Sequence, residues 1–153
     1  MQTNTTRLRE LTLRYSVRKD GDGHTLLIGP TVCGTDDAAD LLTAILQDEP
    51  AEVFGILCLT TKHRVIGYHE VSRGQLDATL VHPREVFKAS LLANAAAIVV
   101  AHNHPSGDPT PNADDQVFTR RLVSAGVLLG ILVLDHIIVG DGRDTSLRRS
   151  GSM

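Results

Sequence analysis

The spacing of apolar positions divides the chain into short strand-like and helix-like pieces. Leu11, Leu13, Tyr15 and Val17 alternate with polar residues, the period of a half-buried strand. Lys19-Asp-Gly-Asp-Gly23 then turns the chain towards the short apolar piece Leu26–Ile28. Ala39, Leu42, Ile45 and Leu46 recur at helical spacing, so a helix is expected from a cap at Thr35 or Asp36 to about Gln47, with Pro50 beyond its end. Glu52–Leu59 and Val65–Val71 read as strands, and the polar turn Thr60–Arg64 between them makes a hairpin. Thr79–Val81 reads as a short strand, and Pro83 suits the first turn of a helix reaching about Asn94. Ala95–Ala101 is expected as a buried strand, Asn112–Ala125 as a helix closed by Gly126, and Ile131–Val139 as a strongly apolar strand ended by Gly140-Asp-Gly142. This order predicts an α/β (α+β) fold, a central mixed sheet flanked by helices.

Composition narrows the class. The 153 residues suit one domain, long enough to bury roughly 70% of the surface of the unfolded chain. With two Tyr, three Phe and no Trp, the core must be aliphatic. A formal charge of -3 gives no basic face of the kind that drives binding to nucleic acid, and few aromatic side chains are present to stack on bases. Cys33 and Cys58 form neither a CxxC pair nor a disulfide framework, and Cys58 lies in an apolar run that suits a buried free thiol. The first residues, Met1-Gln-Thr-Asn-Thr-Thr6, lack the apolar segment of a signal peptide, and no apolar run approaches the length of a membrane span. A cytoplasmic protein is expected.

One stretch does not fit a purely structural reading. Ala101-His-Asn-His-Pro-Ser-Gly-Asp-Pro-Thr-Pro-Asn-Ala-Asp-Asp115 follows a buried strand with two histidines, a proline-rich turn and a helix start. In extended chain, side chains two apart share a face, so His102 and His104 point the same way with Cα atoms about 6.6 Å apart. Pro105, Gly107, Pro109 and Pro111 stiffen the return to Asn112, a good N-cap, which places Asp115 in the first helical turn. Two nitrogens and one oxygen on a rigid frame, with a fourth position open, is the donor set of catalytic zinc. Asp114 is an alternative oxygen ligand if the turn is tighter, and Asp108 also lies close. His136 in a core strand and His82 before the Pro83 helix read as structural. His24, His63 and His69 read as solvated, as do the pairs Arg120-Arg121 and Arg148-Arg149.

His102-Asn-His104-Pro-Ser-Gly-Asp-Pro-Thr-Pro with the later Asp115 resembles the JAMM motif of the JAB/MPN metalloprotease superfamily, in the version carried by RadC-like proteins. Val81-His-Pro-Arg-Glu-Val-Phe-Lys88 and Leu134-Asp-His-Ile-Ile-Val-Gly-Asp-Gly142 resemble RadC-family segments as well. The resemblance runs from about residue 35 to 146. It implies a JAB/MPN-like fold over 35–147, preceded by an extension over 1–34 that adds a strand and followed by a flexible tail at 148–153. About 34 residues before the match are too few for the helix-hairpin-helix region common in RadC proteins, so a short, stand-alone form is expected. Carried over by position, the resemblance makes His102, His104 and Asp115 zinc ligands and Glu70 the general acid/base of an amide hydrolase acting on a peptide or isopeptide bond. From the residues alone Glu70 competes with Glu49, Glu52 and Glu85. In its favour, it shares a strand face with Ile66 and Tyr68, where partial burial raises a carboxyl pKa. Where the motif has Ser three residues before the ligand Asp, this chain has Asn112, which either donates its amide to an oxyanion or only caps the helix. The RadC name also carries an association with DNA repair, and superfamily members that lost part of the motif serve as interaction modules without turnover.

Overall fold

The computed structural model describes residues 30–74 and 81–153. The expected pieces at 11–17, 19–23 and 26–28 lie outside these residues, as does most of Thr79–Val81. Within them the order is α1 (Thr35–Leu46), β1 (Val53–Leu59), β2 (Val65–Arg73), α2 (Pro83–Leu92), β3 (Ala97–Asn103), α3 (Ala113–Leu129), β4 (Leu132–Val139) and β5 (Asp144–Ser146). The strands form one mixed sheet in the order β2-β1-β3-β4-β5, antiparallel except for the β3–β4 pair that α3 connects. It is the expected α+β architecture, with a short fifth strand whose three residues, Asp-Thr-Ser, carry no apolar alternation to announce it.

Apolar alternation on β1 and β3 sends side chains to two cores. Val53, Leu57 and Leu59 of β1 join Ala97, Val99 and Ala101 of β3 beneath α1, which contributes Ala39, Leu42 and Leu46. Phe54, Ile56 and Cys58 join Ile98 and Val100 on the opposite face, beneath Val86 and Phe87 of α2 and Phe118 and Leu122 of α3. Both strands are buried along their whole length, which is why they read as continuous apolar runs. Burial pushes the free Cys58 thiol up to about 11. Cys33 is exposed.

Three boundaries move for identifiable reasons. Gly34, not Thr35 or Asp36, precedes the first turn of α1 and offers no side-chain cap. Both acidic residues Asp36 and Asp37 lie in that turn, where the helix dipole favours them. The expected stop at Gly126 is an interior position, and α3 runs on to Leu129 and closes at Gly130 in the left-handed region, φ 71°. Gly126 instead permits a close approach, because a Cβ there would sit 2.3 Å from the Ile131 carbonyl oxygen. β3 keeps its ladder through Asn103, two residues past the expected end, so His102 and Asn103 are strand residues. The 148–153 segment, expected as a tail, turns back through Ser150 N–H to the Ser146 carbonyl and Ser152 N–H to the Leu147 carbonyl.

Asn103 joins this scaffold to the segment between α1 and β1. Its Oδ1 accepts from Val53 N–H at 2.7 Å, and its Nδ2 donates to the carbonyls of Ala51 at 3.0 Å and Glu49 at 3.3 Å. All three bonds clamp the backbone on either side of Glu52. Replacement by the similarly sized Leu leaves the buried Val53 N–H unmatched, so Asn103→Leu is expected to cost about 1–3 kcal/mol. The reading is a lower urea midpoint at unchanged m-value. An unfolding free energy within a few tenths of a kcal/mol of the parent shows that the clamp carries no weight.

Candidate metal centre

The site forms where the last residues of β3 meet the segment entering β1 and the start of α3. In the antiparallel register Phe54 faces His102 as the last pair of the ladder, and Glu52 and His104 follow just beyond it, two residues on. Because side chains two apart share a face, Glu52, Phe54, His102 and His104 all lie on the α2/α3 side of the sheet. One ligand atom from each of Glu52, His102 and His104 falls within 4.8 Å of the others. The two Nε2 atoms are 2.9 Å apart. Asp115 reaches the same point from α3, Oδ1 lying 3.4 Å from His102 Nε2 and Oδ2 3.8 Å from His104 Nε2.

His102, His104 and Asp115 are each held from behind. His104 Nδ1 lies 2.7 Å from the Asp108 carbonyl oxygen, which can only accept, so this nitrogen carries a proton and the other ring nitrogen, Nε2, is the one turned to the site. The 104–112 loop that supplies the carbonyl is pinned in turn. His104 N–H donates to the Val139 carbonyl and Asp141 N–H to that of Gly107, whose φ of 86° requires glycine. Gly140 allows that contact, since a Cβ there would stand 2.3 Å from the Gly107 carbonyl oxygen. Asp115 is the third residue of α3 and closes a capping box: Asn112 Oδ1 accepts from Asp115 N–H at 2.8 Å, and Asp115 Oδ2 accepts from Asn112 N–H at 2.9 Å. The box fixes the carboxylate and commits Oδ2 to the backbone, leaving Oδ1 the oxygen nearer His102.

Burial dominates the electrostatics. The side chains of His102, Asp115 and His104 are 2%, 12% and 16% exposed. Burial, with His136 and His104 beside it, holds the His102 pKa well below the usual imidazole range. Burial also raises the Asp115 carboxyl, against the opposing pull of the Asn112 amide and His104. Phe54 seals the inner side, its ring stacked on His102 at 6.1 Å and edge-on to His136 at 5.8 Å. His102 Nδ1 lies 2.8 Å from His136 Nε2, and His136 Nδ1 lies 2.6 Å from Thr119 Oγ1. Imidazoles and carboxylates converging in a mostly buried corner form a donor set that could hold a divalent metal ion.

The other expected residues fall elsewhere. Glu70 pairs bidentately with Arg73, at 2.8 and 2.9 Å, and Arg73 also reaches Glu49 at 2.7 Å. It lies in register with Gly55 and so with Ala101, on the α1 side of the sheet, opposite to His102. Of the face expected to be shared with Ile66 and Tyr68, the part with Tyr68 holds and the part with Ile66 does not. A register shift beside Leu59 breaks the alternation, so Ile66 packs beneath α2 and α3 while Tyr68 packs against the α1 core. Glu85 pairs with Lys88 on α2. Asn112 is exposed and caps α3, while Asp114 is exposed beside Asp115. His82 caps α2, its Nδ1 accepting from Arg84 N–H at 3.0 Å. His63 and His69 are exposed. From the sequence alone Glu52 is only a rival to Glu70, and Asn103, Thr119 and the contact made by His136 carry no signal. Glu52 was within reach, because pairing β1 with β3 puts its parity with the two histidines. The contacts of Thr119 and His136 have no signature outside the folded chain.

The profile of the RadC-like JAB domain family matches residues 32–152. Among similar proteins, the UPF0758 protein of Moorella thermoacetica is 54% identical over 112 residues, covering 73% of this chain and 49% of that protein. That of Alkaliphilus oremlandii is 50% identical over 109 residues, covering 71% and 47%. UPF0758 protein Mbar_A2303 of Methanosarcina barkeri is 46% identical over 120 residues, covering 78% and 52%. The chain spans about half the length of these curated relatives. With the profile spanning both the convergent histidines and the helix that brings Asp115 to them, the chain belongs to the RadC-like JAB domain family.

Proposed function

We propose that the domain is a zinc-dependent hydrolase of amide bonds, acting on a peptide or isopeptide. The observation that supports it best is the convergence of His102 Nε2, His104 Nε2 and an Asp115 oxygen on one point with the Glu52 carboxylate alongside. Three such ligands leave zinc a position open to solvent and substrate, the arrangement of catalytic rather than structural sites. Zinc bound there supplies Lewis acidity, lowering the pKa of water to about 7.

The chain supplies the rest. Glu52 sits on the strand face of the two histidines and is the carboxylate placed to take the proton from attacking water and pass it to the leaving amine. The role expected of Glu70 passes to it, since Glu70 is committed to Arg73 on the other side of the sheet. Asn103 clamps the backbone around Glu52, so the general base is tied to the strand that ends on the two histidines.

Metal analysis of the purified protein is expected to find about one zinc per chain, and His104→Ala or Asp115→Ala to lose it, because two remaining ligands hold catalytic zinc poorly. Full occupancy in a His102→Ala, His104→Ala double variant removes the site from consideration. Against labelled peptides and isopeptide-linked lysines, Glu52→Gln is expected to keep zinc and lower turnover about 10²–10⁴-fold. Glu70→Gln is expected to keep both. The reverse pattern returns the role to Glu70, and undiminished turnover in both variants excludes a carboxylate base from either position.

A further inference from the structure

Thr119, His136 and His102 form a chain of hydrogen bonds behind the site that ends on the backbone of Asp115. Thr119 Oγ1 lies 2.6 Å from the Asp115 carbonyl oxygen and 2.6 Å from His136 Nδ1, and His136 Nε2 lies 2.8 Å from His102 Nδ1. Thr119 and His136 are buried, and neither belongs to the set of ligand atoms.

The direction of every proton in this chain follows from its end. A carbonyl oxygen only accepts, so the Thr119 hydroxyl must donate its single proton to Asp115. Thr119 Oγ1 then has only lone pairs for His136, and His136 Nδ1 must carry the proton. His136 has 1% of its surface exposed, and burial disfavours the charged ring, so its Nε2 is bare. A bare Nε2 accepts, and His102 Nδ1 must therefore be the donor. The neutral His102 ring is left with its lone pair on Nε2, aimed at His104 Nε2, the nitrogen that a neutral His104 ring leaves bare when its Nδ1 donates to the Asp108 carbonyl. Two lone pairs 2.9 Å apart repel unless a cation or a proton lies between them.

We propose that Thr119 and His136 are positioning residues that set His102 in the Nδ1–H form and so present Nε2 to the metal. Resting on the zinc reading above, the proposal adds how the chain prepares the site. The link closes on itself, because the carbonyl that orients Thr119 belongs to Asp115, whose carboxylate faces the same point. α3 thereby delivers one ligand through the side chain of Asp115 and orients another through that of Thr119, one helical turn later.

The hydroxyl at position 119 makes this testable with small changes in volume. Thr119→Val keeps the branched shape and removes the proton relay, freeing His136 to carry its proton on Nε2 and driving the His102 proton onto Nε2. Thr119→Ser keeps the hydroxyl. Long-range 1H–15N correlation of the zinc-free protein, labelled at histidine nitrogens, is expected to show His102 protonated at Nδ1 in the parent and in Thr119→Ser, and to lose that signature in Thr119→Val. Titration with zinc is expected to give equal affinity for parent and Thr119→Ser, and about 10–100-fold weaker binding for Thr119→Val. A merely structural role lowers stability in Thr119→Val but leaves tautomer and affinity unchanged, and that result overturns the proposal. So does a parent His102 protonated at Nε2. A parent that shows the Nδ1–H form yet takes up no zinc supports the relay and defeats the zinc reading instead, which keeps the two failures apart.

Discussion

The register of β1 against β3 is the constraint on which the site depends. With Phe54 opposite His102, strand parity places Glu52, His102 and His104 on one face and sends Asn103 to the other. A slip of one residue would turn the histidines into the α1 core and the clamp into the site. That slip is opposed on both faces. Phe54 and Ile56 fill the space beneath α2 and α3, while Val53 and Leu57 fill that beneath α1. The apolar run of each strand therefore guards the geometry of the polar residues at its end. It also explains the double use of His102-Asn-His104: the outer two face Glu52 and Asp115, and Asn103 fastens the segment that carries Glu52.

The neighbourhood is costly for a protein without metal. Imidazoles crowd together with little solvent, and burial raises the Asp115 carboxyl. Buried polar groups are tolerated when each finds a partner, and the chain finds them through carbonyls. The Asp108 carbonyl serves His104, and the Asp115 carbonyl, through Thr119, serves His136. Such partners hold the rings and turn both Nε2 atoms to one shared point. What is unfavourable for the empty fold is the condition a divalent cation requires, and binding it stabilises the folded chain by mass action.

Much of this was legible before the fold was known. The His-x-His spacing and the proline-stiffened return placed Asp115 in the first turn of a helix because strand parity and N-capping are local rules. The sheet and its three flanking helices followed from apolar periodicity over strands buried along their length. What escaped was non-local. Which glutamate joins the site depends on strand register, and local alternation around Glu70 was broken by a shift that the sequence does not display. Gly126 read as a helix stop because glycine usually is one there, whereas its task is the close approach of Ile131. His136 was placed correctly in the core, but its bond to His102 joins residues 34 apart, beyond any pattern of spacing.

The most direct measurement is anomalous scattering at the zinc edge from crystals of the zinc-loaded protein. A single peak is expected about 2.0–2.1 Å from both His102 Nε2 and His104 Nε2, in contact with the Asp115 carboxylate. The two nitrogens, 2.9 Å apart here, are then expected to separate to roughly 3.3 Å, as tetrahedral zinc requires. A peak elsewhere, with the two nitrogens still in direct contact, contradicts a metal centre at this point.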